Sequence, residues 1–107
     1  MLLSTPPDPP ALRCELTQQV NGGTISITGL VYASAAGAGT YQLRVVKSGP
    51  SGTSTLNQGG AFTIQPPEAS TVGRMAISVE AGAGYTAHLR VASGGSSAEC
   101  EGGHERL

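Results

Sequence analysis

Tryptophan is absent from this chain, phenylalanine occurs once, histidine twice, and charged residues make up only 12% of 107 positions. Each scarcity closes a class of function. Six basic residues are scattered along the chain and offset by seven acidic ones, for a net charge of −1, so nothing global draws nucleic acid or an anionic membrane. Base stacking would need free aromatic rings. Tyr41, Phe62 and Tyr85 fall instead in apolar phases or at a turn, which leaves Tyr32 as the one aromatic expected on the surface. Apolar runs are too short for a membrane-spanning helix, and Met1-Leu2-Leu3 is too brief and uncharged for a secretory signal. Any leader of the natural protein is expected to be missing from this sequence.

Catalytic and metal signatures are equally sparse. There is no GxSxG, and no CxxC or HxxxH spacing to assemble a metal from Cys14, Cys100 and His88. His88 falls in the outward phase of a strand, where a solvated imidazole is the expectation, and His104 lies near the C-terminus. Gly82-Ala83-Gly84-Tyr85-Thr86-Ala87 satisfies the dinucleotide pattern GxGxxA, but here the glycines lead into an alternating strand instead of a helix N-terminus. No enzyme and no cofactor is expected.

What the chain does have is glycine and alternation. Sixteen Gly and seven Pro imply many turns, and the segments between them repeat with a period of two. Leu12, Cys14 and Leu16 share one face of a first strand, and Asn21-Gly22-Gly23 supplies a hairpin turn. Ile25, Ile27 and Val31 follow, with Gly29 marking a bulge. Tyr41, Leu43 and Val45 alternate with Gln42 and Arg44 over Gly39 to Lys47; the hydroxyl-rich run Thr53 to Leu56 reads as an edge strand, with entry to another near Phe62. Pro66-Pro67-Glu68 then breaks the ladder and crosses between sheets. Met75, Ile77 and Val79 mark a strand over Val72 to Glu80, and Tyr85, Ala87, Leu89 and Val91 another over Tyr85 to Ala92. A last strand over Ser96 to Glu101 carries Cys100. The expected architecture is all-β, an immunoglobulin-like β-sandwich of seven to eight antiparallel strands over residues 11–101. Residues 1–10, rich in proline, and 102–107 are expected to be disordered tails. The thin aliphatic core leaves no large internal pocket for a small molecule.

Three positions carry structural expectations. Cys14 and Cys100 bracket the domain, as a disulfide or as two buried thiols; a bridge would add about 4 to 5 kcal/mol by loop entropy before strain. Tyr85, just after Ala81-Gly82-Ala83-Gly84, is placed like a tyrosine corner, its phenol bonding to nearby backbone.

One surface constellation also emerges. If the strands over 39–47 and 85–92 are neighbours, the outward Gln42, Arg44 and Val46 lie beside Thr86, His88 and Arg90, with Lys47 at the rim. Like charges on adjacent strands favour an acidic visitor. Equally, the face is an ordinary solvated one whose arginines pair with Glu99 or Glu101.

Tyr41-Gln42-Leu43, Val46-Lys47-Ser48-Gly49, Ser51-Gly52 and Gln58-Gly59-Gly60-Ala61-Phe62, flanked by Cys14 and Cys100, resemble the CsgH branch of the curli amyloid inhibitors. That resemblance implies an immunoglobulin-like periplasmic chaperone that keeps the curli major subunit from forming amyloid before export, with neither cofactor nor ATP. It also implies a monomer. The related CsgC branch carries a Cys-x-Cys motif that this sequence lacks, which removes the basis for thiol exchange. Under the resemblance Arg44, Arg90, His88, Lys47 and Gln42 become expected client contacts, with edge pairing through Thr53 to Leu56 as a rival mode. A structural or adhesion module that binds another protein or a glycan is the reading from outside the family.

Overall fold

The computed structural model describes residues 11–104, and seven antiparallel strands account for most of them. They are β1 (Leu12–Asn21), β2 (Thr24–Ala33), β3 (Gly37–Gly49), β4 (Gly52–Ile64), β5 (Ser70–Ser78), β6 (Gly84–Ser93) and β7 (Ser96–His104). Two sheets form, ordered β1-β2-β5 and β4-β3-β6-β7, and among the described residues there is no helix. The all-β sandwich read from the alternation is what the chain adopts.

Period two decides which side chains meet. Ile25, Ile27 and Val31 of β2, Leu43 and Val45 of β3, and Leu89 and Val91 of β6 are at most 1% exposed and fill the space between the sheets. Phe62, Ile64, Val72, Ile77, Tyr85 and Ala87 complete this core. Fully burying each of the larger aliphatic side chains contributes about 1.5–3 kcal/mol. The β2–β5 register shifts between Thr28 and Gly29, where the bulge was expected. Gly29 is needed there because a Cβ would stand 2.6 Å from Val72 O and 2.8 Å from Leu89 Cδ2. Gly94 and Gly95 both take positive φ (55° and 83°) in the two-residue turn joining β6 to β7, a backbone that non-glycine residues resist.

Three strands depart most from the sequence reading. β4 is one continuous strand of 13 residues, paired with β3 from Gly37↔Ile64 to Gly49↔Gly52, where a short edge strand and a separate one near Phe62 were expected. Its Ser, Thr, Asn and Gly residues carry no strong alternation, so backbone pairing with β3 sets its length. β5 runs from Ser70 to Ser78, and Val79 and Glu80 enter the following loop, with Val79 N–H donating to Gly23 O. β7 continues to His104 because the start of β6 offers ladder partners, Tyr85↔His104 and Thr86↔Gly103. Residues 102–104 are therefore strand, not tail. Residues 1–10 and 105–107, the rest of the expected tails, lie outside the described residues.

Cys14 on β1 and Cys100 on β7 form a disulfide pair with Cα atoms 6.0 Å apart, within ordinary bridging range. Of the two readings open in the sequence, the structure takes the bridge. Tyr85 is buried, and its phenol donates to Gln18 Oε1 on β1, far away in sequence, where a local backbone acceptor was expected. Burial pushes the Tyr85 phenol above its ordinary pKa of 10.0.

Candidate functional site

The outward face of β4-β3-β6-β7 is built by register. Gln42 stands opposite Arg90 and Arg44 opposite His88, so these four residues form a compact block on neighbouring strands. β4 adds Asn57 beside Arg44 and Gly59 beside Gln42, while β7 adds Glu99 beside Arg90 and Glu101 beside His88. Two polar rows result. One reads Asn57, Arg44, His88, Glu101, and the other Gly59, Gln42, Arg90, Glu99. A shallow depression of about 480 Å3 opens over Gln42, Arg44, Asn57, Gly59, His88 and Arg90.

The two arginines are not equivalent. Arg90 Nε lies 3.4 Å from Glu99 Oε1, and His88 Nε2 is 3.8 Å from Glu99 Oε2. Both ends of the Arg90 pair are more than half exposed, so it contributes about 0.2–1 kcal/mol and leaves the guanidinium partly neutralised. Arg44 has no ion pair among the described residues. The face is therefore polarised, with the open cation near β4 and the carboxylates along β7. Sequence phase alone grouped the arginines; strand register separates them.

Lys47 does not join this face. It shares the inward phase of Tyr41, Leu43 and Val45, and at the end of the sheet its Nζ donates to Ser78 O across the sandwich at 2.9 Å. Nearby, Ser51 in the β3–β4 turn donates its N–H to Glu80 Oε1 (2.8 Å) and its hydroxyl to Oε2 (2.9 Å). Those two bonds, the backbone one first, and then the Lys47 charge hold the Glu80 carboxyl below its ordinary 4.5. Together Lys47, Ser51 and Glu80 line a cleft of about 450 Å3 that ties the β3–β4 turn to the β5–β6 loop. Sequence reading passed over Glu80 and Ser51 because their encounter joins distant turns. Asn57 was missed because β4 was divided; reading it as one strand would have placed Asn57 beside Arg44.

Other surface features are accounted for locally. Tyr32 carries the Arg13 guanidinium 4.6 Å from its ring centre and donates its hydroxyl to Glu15 at 3.2 Å. No group of His, Cys, Asp or Glu among the described residues is arranged to hold a metal.

Comparison with known proteins gives the fold a family context. A family model described as CsgH protein matches residues 13–103. The solution structure of R. palustris CsgH superposes with a TM-score of 0.72 at 35% identity, covering 85% of this chain and 90% of that one. The E. coli curli protein CsgC superposes with a TM-score of 0.69 at 14% identity, covering 87% and 97%, a likeness of fold alone. No curated protein is significantly similar in sequence.

Proposed function

The chain belongs to the CsgH family, and from that premise we propose that it is a periplasmic chaperone that prevents the curli major subunit from assembling into amyloid before export. It acts as a non-enzymatic, cofactor-free monomer, through transient contacts guided by charge. The observation that carries this reading, beside the family match over residues 13–103, is an exposed cation, Arg44, without an acidic partner among the described residues, at the centre of a polar sheet face. A guanidinium of that kind attracts acidic groups of an unfolded chain without committing to a dry interface, which suits brief encounters. Gln42 and His88 flank it, Arg90 contributes less because Glu99 faces it, and Lys47 is left out by its orientation.

Substoichiometric protein added to purified curli subunit should lengthen the lag of amyloid-dye kinetics, and the effect should weaken as salt rises. Arg44→Glu should lower potency about tenfold at low ionic strength. Arg90→Gln should lower it less. Unchanged lag times with the wild-type protein would overturn the chaperone reading; an unaltered Arg44→Glu variant, folded by circular dichroism, would overturn the charge-guided contact.

A further inference from the structure

The four outer strands of the two sheets manage their exposed edges unequally. β1 carries Arg13 and Glu15, β5 carries Arg74 beside Gly73 at positive φ, and β7 carries Glu99, Glu101 and the positive-φ Gly103. Charges and irregular backbone are the devices that stop an edge from recruiting another strand. β4, Gly-Thr-Ser-Thr-Leu-Asn-Gln-Gly-Gly-Ala-Phe-Thr-Ile, has neither charge nor proline, its positive-φ Gly52 stands at its very start, and its ladder with β3 runs for 13 residues without a register shift. At about 3.4 Å per residue this is an unbroken edge roughly 40 Å long, with about half of its amide groups directed away from β3.

The geometry points to β4 as a docking edge for an extended polar strand rich in Ser, Thr, Asn, Gln and Gly, as an amyloid-forming chain exposes before it stacks. This deepens the proposed function and rests on it, since the occupant is the curli subunit. Side chains along the edge match such a partner: Thr55 and Asn57 are exposed on the outer face for amide and hydroxyl pairing, and Gly59 leaves the backbone open. On the inner side Leu56 is 37% exposed and would be covered by the added strand. A second copy fits less well, because it would bring a second Arg44, without an ion pair among the described residues, to the same outer face. Docking in this manner covers the end of a growing sheet with a sandwich whose other edges refuse further strands.

Thr55→Lys and Asn57→Lys put the missing charge on the edge while keeping exposed positions exposed, and Gln19→Lys adds the same charge to β1 as a control. The dose of protein needed for a given lag should rise about tenfold for the β4 variants, the equivalent of one or two lost hydrogen bonds, and stay the same for Gln19→Lys. Contacts guided by charge alone predict the reverse, since added cations would not weaken them. Hydrogen exchange on the full chain mixed with curli subunit should slow at β4 amides and not at β7. A lengthened lag with β4 exchange unchanged would overturn this inference and leave the chaperone reading intact. No lag effect with β4 protected would overturn the chaperone reading and keep the docking edge, whereas no lag effect without protection would remove both. Protection of β4 in the protein alone, growing with its concentration, would make the occupant a second copy and overturn the assignment.

Discussion

Along one side of the sandwich β1 lies against β7, and along the other β4 lies against β5. The first side is closed by the Cys14–Cys100 bridge and by the Tyr85 phenol reaching Gln18. Across the second, besides the core packing of Phe62 and Ile64 with Val72 and Ile77, the ties are polar: Gln58 Nε2 donates to Arg74 O at 3.2 Å, Ser70 Oγ to Thr63 O at 2.8 Å, and the Lys47, Ser51 and Glu80 contacts hold its end. A covalent tie on one side frees the other from the duty of holding the layers together. The loosely tied side is also the one whose edge strand lacks charge.

The comparison breaks most visibly at the bridge. Cys14→Ala combined with Cys100→Ala should lower stability by about 2–5 kcal/mol in urea unfolding, because a chain segment of 86 residues regains its unfolded freedom. A loss below about 1 kcal/mol would mean that the two sides are held equally. The opposite side is probed at Gln58, whose Oε1 is buried without a hydrogen-bond partner while its Nε2 is bonded. Gln58→Met removes the bond and the unsatisfied oxygen together, so the urea midpoint should move by less than about 1 kcal/mol in either direction. A drop of several kcal/mol would show that the polar link carries this side.

The smallest effect belongs to Glu80. Its carboxyl is held below 4.5 by Ser51 and Lys47, so the stability it contributes is complete above 4.5 and is lost as pH falls through its lower folded value. Glu80→Gln should flatten that part of the acid-unfolding curve and lower neutral stability slightly, by the contribution it removes. A profile with undiminished acid sensitivity would assign the acid response to other carboxylates.

The sheets were legible wherever burial imposes alternation. β2 and β6 could be traced from Ile25, Ile27, Tyr85, Ala87, Leu89 and Val91, and the Gly29 bulge from a glycine inside an apolar pattern. β4 was legible only in part, since a strand whose exposed side chains are Thr, Ser, Asn and Gly takes its extent from its neighbour's backbone. The polar outer face of β3 and β6 followed the same division. Phase placed Gln42, Arg44, His88 and Arg90 together, yet the pairing of Arg90 with Glu99 depends on β7 register and ranked only as one of two readings. Lys47 occupies an apolar phase at the end of a strand, where a long side chain can cross to the other sheet instead of turning outward.

The bridge between β1 and β7 joins the first and last strands of the described residues. A pull applied at the two ends therefore passes through one covalent link, and every strand between Cys14 and Cys100 is shielded from tension. β2 to β6 lie off the path of such a load, and only the outer residues of β1 and β7 bear it.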